Sequence, residues 1–201
     1  MREAVGIAGN KRLNEIISLI FMPQISSSYA FALLFFGTGA NWICLALAIF
    51  FSSVVQIISI AIYSVISGGD VNVDNIKGRS WLFAIAIVSY FLGFFLLVHL
   101  SAPYIMSVLM LSYALNTVVA AVITRYITKV SIHVWGLSGP SVTILYVYGP
   151  LWFLSMLAVA WIVGNARVGL RKHTWIQVFS SFALSLCITG AIVYLIGPIM
   201  L

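Results

Sequence analysis

Three histidines occur among 201 residues, and two of them, His133 and His173, each stand within a few positions of lysine or arginine. In the run Ala166-Arg167-Val168-Gly169-Leu170-Arg171-Lys172-His173-Thr174-Trp175-Ile176-Gln177, an arginine precedes the histidine by six positions and an amide follows it by four. Upstream, Lys129-Val130-Ser131-Ile132-His133 opens an apolar run, with Arg125 just before it. Imidazole titrates near pH 6.5 or so and serves as base, acid or nucleophile around neutrality. Guanidinium forks and the amides of a helix N-terminus both match phosphate oxygens. These residue types in this pattern point to chemistry on an anion, with phosphate the best fit. If a helix follows His173, Gln177 lies one turn beyond it, and its carbonyl can accept the Nδ1–H bond that fixes the imidazole tautomer.

The elements that must position these groups are apolar. The chain is 63% hydrophobic and 7% charged, with mean hydropathy +1.14, against about 25% charged residues in soluble domains. That excludes an ordinary soluble enzyme and predicts an all-α, polytopic transmembrane helical bundle of about six to seven spans. Seven apolar segments are legible: Leu13–Phe36, Trp42–Ser67, Trp81–Leu100, Pro103–Thr124, Ser131–Tyr148, Leu151–Gly164 and Thr174–Leu201. Most have the roughly 20 residues needed to cross about 30 Å of hydrocarbon, whereas the fifth and sixth are short and should be partly buried by neighbours. Pro23, Gly139 and Pro140 are expected to kink helices. The first apolar run lacks a small-residue cleavage site and is expected to be a retained helix. Without repeats or a soluble insertion, residues 1–201 read as one domain.

Charge is confined to alternate connections. Arg2, Lys11, Arg12, Lys77, Arg79, Arg125, Lys129, Arg167, Arg171 and Lys172 would share one membrane face, which the positive-inside rule makes cytoplasmic together with the N-terminus. The net charge of +6 also has a purely structural explanation, because basic loops orient helices and attract anionic headgroups. The expected partner is therefore the lipid bilayer, with no nucleic acid, and the oligomeric state is left open. Cys44 and Cys187 lack metal-ligand spacing and read as buried small hydrophobes. Trp42, Trp81, Trp135, Trp152, Trp161 and Trp175 lie near span ends, as an anchoring belt requires. His99 falls at the uncharged end of the third span, far from the other two histidines.

On these residues the chain resembles the phosphatidic acid phosphatase type 2 superfamily, whose three motifs are K-x6-R-P, P-S-G-H and S-R-x5-H-x3-D. Val130-Ser131-Ile132-His133 matches the second motif at serine and histidine, and Arg167 through His173 to Gln177 keeps the spacing of the third. Ile132, Val130, Ala166 and Gln177 stand where the family has glycine, proline, serine and aspartate; some polytopic branches use an HTxxQ form of the third motif. For the first motif Arg79 with Lys77 is the best candidate, and Arg125 with Lys129 competes for the role. The resemblance covers about residues 70–201. It implies a metal-independent lipid phosphatase without cofactor: His173 as nucleophile forming a phosphohistidine, His133 protonating the leaving alkoxide, and Gln177 orienting His173. Arg167, Ser131, Arg79, Lys77, Lys129 and Arg125 would bind phosphate. A site at the mouth of a helical bundle with no soluble lid suits an amphiphile such as a polyprenyl phosphate, a polyprenyl diphosphate or phosphatidate.

Two other readings stay open. The motif departures are compatible with a lipid-phosphate-binding protein or scramblase that keeps the pocket without turnover. Asp70 and Asp74, at i and i+4 if helical, could hold Mg²⁺ for a prenyl diphosphate, as in intramembrane prenyltransferases; a solvated loop offsetting Lys77 and Arg79 explains them as well.

Overall fold

A computed structural model describes residues 10–66 and 80–196 in full and the backbone of 67 and 76–79. The described residues are helical, with no strand among them. The helices are α1 (Lys11–Ile20), α2 (Pro23–Thr38), α3 (Trp42–Ile49), α4 (Val55–Ser67), α5 (Ile76–His99), α6 (Tyr104–Tyr126), α7 (Ile132–Tyr148), α8 (Pro150–Gly169) and α9 (Trp175–Ala191). A π-helical turn, Phe50–Val54, joins α3 to α4, and a second, Ile192–Ile196, extends α9. Five rods, Trp42–Ile66, Ser80–His99, Tyr104–Tyr126, Pro150–Gly169 and Trp175–Ile196, are long and apolar enough to cross a membrane, and α1 with α2 makes a sixth if the bent pair is one span. The protein is a membrane helical bundle.

The first apolar segment forms two helices where one continuous helix was expected. Asn10 caps α1 by accepting from the backbone N–H groups of Arg12 and Leu13 at 3.0 and 3.3 Å. Pro23, which has no N–H to donate, begins a new helix instead of continuing the old one, and the axes differ by 49°. The ten-residue α1 is amphipathic: Asn14 and Ser18 are buried while Leu13, Ile16 and Ile20 are exposed. A Cβ on Gly169 would come within 2.7 Å of Asn14 Nδ2, so α1 docks closely on the end of α8.

The sixth segment is longer than the expected Leu151–Gly164. Asn165, Ala166 and Arg167 continue α8, because all three face inward and are buried. Polar residues at the end of an apolar run mark a helix end only when they face solvent. The fifth segment, α7, is buried all round from His133 to Ile144, as its shortness predicts. It runs unbroken through Pro140, and Gly139 meets α9 closely, a Cβ there lying 3.1 Å from Thr189 Oγ1.

Polar side chains tie the bundle together where no water competes. Asn116 of α6 donates to the Ser112 carbonyl and to Thr189 Oγ1 of α9, at 2.8 and 2.9 Å, and accepts from Trp135 Nε1 at 2.6 Å. Trp135 is thus a buried structural residue, in contrast to the interfacial anchor expected. Cys44 is buried as expected, but Cys187 is exposed on α9, on a face suited to lipid contact. The π turn frees the Phe51 carbonyl, which accepts from Ser89 Oγ at 2.7 Å and from Gln56 Nε2 at 3.2 Å. Asn116→Leu leaves the indole N–H of Trp135 and the hydroxyl of Thr189 short of a partner. It is expected to lower stability by about 1–3 kcal/mol, visible as a lower midpoint on thermal unfolding in detergent.

Candidate functional site

Between Ile127 and Ser131 the chain passes from α6 to α7, and between Leu170 and Thr174 it passes from α8 to α9. Both residues flagged by the sequence as reactive lie on these connections or one residue inside a helix. His133 sits in the first turn of α7, and His173 immediately precedes Thr174, the N-cap of α9. His133, Arg167 and His173 are 7%, 5% and 5% exposed, so all three are withdrawn from bulk solvent.

The turn around His173 is closed by the backbone. The Arg167 carbonyl accepts from the N–H groups of Lys172 and His173 at 3.1 and 3.4 Å, which fixes arginine and histidine relative to each other. Arg171 adopts φ 55°, a left-handed conformation that a non-glycine residue takes at some cost. Thr174 and Gln177 form a capping box at the start of α9.

That box orients the Gln177 amide toward His173. Gln177 Oε1 accepts from the Thr174 backbone N–H at 3.2 Å, and a backbone N–H can only donate. The amide atom facing His173 Nδ1 at 3.1 Å is therefore oxygen, and Nδ1 must carry the proton. In the neutral ring the lone pair is then on Nε2. Gln177 Nε2, turned the other way, donates to Thr128 Oγ1 at 3.1 Å on the α6–α7 connection.

A second bridge links the two histidine-bearing segments. The Ser131 backbone N–H donates to Ser181 Oγ at 2.9 Å, and Ser181 donates in turn to the Gln177 carbonyl at 2.6 Å. Just beneath, Gly164 lets α8 approach its neighbours: a Cβ there would lie 2.8 Å from Val178 on α9 and 3.5 Å from Val134 on α7. The α7, α8 and α9 ends that carry His133, Arg167 and His173 are thereby locked together.

Beside this cluster a cleft of about 920 Å³ opens, with Lys11, Arg12 and Ser18 of α1 on one side and His133, Arg167 and Lys172 on the other. Its size falls within the range of ligand pockets, and its rim is cationic. Glu15 of α1 also lines it, 3.9 Å from Lys11, but both groups are exposed and such a pair contributes little. The buried hydroxyls of Ser18 and Ser131 and the buried amide oxygen of Gln24 make no hydrogen bond among the described residues. A buried polar atom left so costs about 1–3 kcal/mol, which favours a polar ligand or water at these positions.

The remaining residues expected to bind phosphate are distributed differently. Arg125, at the end of α6, is exposed, its guanidinium carbon 5.6 Å from the ring centre of Tyr126, and it does not line the cleft. Lys129 is half-buried between Thr128 and Ser131 and is likewise not part of the cleft wall. Lys77 and Arg79 begin α5, with side chains outside the described residues, and Asp70 and Asp74 lie outside them altogether. Lys172, Lys11, Arg12, Ser18, Thr128 and Ser181 were not singled out by spacing. The i+4 spacing of His173 and Gln177 anticipated their hydrogen bond, whereas the capping-box pattern Thr174-x-x-Gln177 was a local signal left unread. A comparison of the chain with models of known families, with curated proteins and with solved structures finds no match.

Proposed function

We propose that this protein is a lipid-phosphate phosphatase acting through a phosphohistidine. The observation that carries the reading is the bond to Gln177 from Nδ1 of His173, one residue beyond Lys172, which lines a cationic cleft with His133 and Arg167; His173 itself lies behind that wall and does not line the cleft. Nε2 of His173 attacks phosphorus, the bond from phosphorus to the lipid oxygen breaks, and His133 gives its proton to the departing alkoxide. Water then attacks the phosphohistidine, His133 takes a proton from it, and phosphate leaves with His173 restored. Arg167 faces the equatorial oxygens, where negative charge is spread in the transition state. The first-turn amides of α7 have no helical acceptors and favour the same charge.

The substrate is an amphiphile. The cleft lies at the end of helices that cross the membrane, so a phosphate head on a hydrocarbon chain reaches it without leaving the lipid phase. The cationic rim at Lys11, Arg12, Arg167 and Lys172 supports a cytoplasmic location for this end under the positive-inside rule. Phosphate release by purified protein from polyprenyl phosphates, polyprenyl diphosphates and phosphatidate, in excess EDTA, tests the reading. Hydrolysis is expected to survive chelation with less than about a twofold change, because the proposed nucleophile and acid are both imidazoles. Hydrolysis restored only by Mg²⁺ would move the chemistry to Asp70 and Asp74. Headgroup binding without release from any lipid would favour a binding protein or scramblase.

A further inference from the structure

A second cavity continues inward from the cleft. The two share Pro23, Gln24, Ile60 and Ile132 as lining, and Ile132 is the residue before His133. From there the walls are formed by Leu82, Phe83 and Ala86 of α5, Ala120 of α6 and Trp135 of α7. Leu82, Ala86 and Tyr90, spaced four residues apart on one face of α5, all line it, so the cavity runs along that helix. It is narrow, with a volume of about 150 Å³. At its far end Tyr90 and Tyr113 pack with ring centres 5.5 Å apart, beside Gln56 and Asn116. This floor is polar, and Tyr113 Oη is buried there without a hydrogen bond among the described residues.

We propose that this slot receives the first carbons of the substrate's hydrocarbon chain while the phosphate occupies the cleft, and that the polar floor sets how many carbons the protein grips. The inference rests on the phosphatase reading for the head group. The slot's long axis, its apolar walls and its mouth beside His133 suit a chain attached to the reacting phosphate. A cavity of about 150 Å³ holds a group the size of benzene, so about six carbons fit. Beyond them a longer chain meets tyrosine hydroxyls and amides, whose company costs an alkyl group rather than helping it. The slot is thus a ruler for the proximal part of the chain, bounded by Ala86 and Ala120 on its walls and by Tyr90 and Tyr113 at the floor.

Alkylphosphonates of four to twelve carbons, used below their micelle concentrations, are hydrolysis-resistant probes whose affinity can be measured by calorimetry on the full chain in detergent. Alkyl phosphates of the same lengths report turnover in parallel. Each added carbon is expected to tighten binding about fourfold until roughly the sixth, after which affinity levels off. Ala86→Leu, and separately Ala120→Leu on the neighbouring helix, should bring the plateau forward by about two carbons while leaving four-carbon probes within about twofold of wild type. Two variants guard against one failing to fold. An affinity that climbs equally in wild type and variants through twelve carbons would put the chain in the detergent belt and overturn the slot. Length-dependent binding with no hydrolysis of any alkyl phosphate would sink the phosphatase reading and leave the slot standing.

Discussion

His173→Ala is expected to lower kcat for phosphate release by about 10³- to 10⁶-fold, the range seen when a catalytic nucleophile is removed. Headgroup binding should survive, because the cations that line the cleft are contributed by α1, α8 and the α8–α9 turn. The expected pattern is therefore a collapse of kcat with substrate affinity changed by only a few fold. Unfolding is excluded as the cause if the thermal midpoint stays near that of wild type, and the turn supports this: its closing bonds run through the backbone N–H of residue 173, which alanine retains. Turnover within about tenfold of wild type would mean that another group attacks phosphorus.

The second large effect is expected at Gln177, and it separates positioning from mere support. Gln177→Leu removes the acceptor for Nδ1–H of His173, the acceptor for the Thr174 N–H and the donor to Thr128. Without that acceptor the imidazole can adopt the tautomer with its proton on Nε2, where it cannot attack. An analogous loss of tautomer control costs up to about 10⁴-fold in serine proteases, and a fall of about 10²- to 10⁴-fold in kcat is expected here. Gln177→Glu keeps an oxygen facing both Nδ1 and the Thr174 N–H, and Thr128 can reverse its hydroxyl to donate. It also places negative charge beside the cationic imidazole that forms on attack, so activity should return to at least wild-type level. A purely structural role for Gln177 predicts instead that both variants fail together, in step with their thermal midpoints.

Reading the sequence located the bundle because lipid demands long apolar helices, and six of the seven apolar segments correspond to single rods in the structure. The segment Leu13–Phe36 is bent by 49° into two helices, and hydropathy, which averages over Pro23, hides the change of direction there. What looked like the start of a membrane helix is α1, a separate amphipathic helix with Asn14 and Ser18 turned inward. Hydropathy likewise ended the sixth span at Gly164, since it cannot distinguish a polar residue facing solvent from Asn165 or Arg167 facing the interior of the bundle.

The candidate site was legible where its residues are close in sequence. Arg167 lies in the last turn of α8, His173 on the short turn that follows and Gln177 in the first turn of α9, so spacing alone anticipates the hydrogen bond between His173 and Gln177. Thr128 and Ser181 reach the same residues across the fold, through bonds spanning 49 and 50 positions respectively, and no local pattern announces them. The cationic wall of α1 was missed for a related reason: Lys11 and Arg12 read as topogenic charges, and only the docking of Asn14 against Gly169 brings them opposite Arg167. Trp135 shows the reverse error, where proximity to a span end suggested the interface and a hydrogen bond to Asn116 holds the indole inside.

The most direct test of the central claim is to trap the covalent intermediate. Purified protein is mixed with a polyprenyl phosphate labelled on phosphorus, quenched within milliseconds under denaturing alkaline conditions, and the label is mapped by peptide. A phosphoenzyme that is stable to base and labile to acid is expected on His173, lost in His173→Ala but not in His133→Ala, where it should accumulate or form slowly. Label on another residue, or steady hydrolysis with no trapped phosphoenzyme and no dependence on His173, would contradict it.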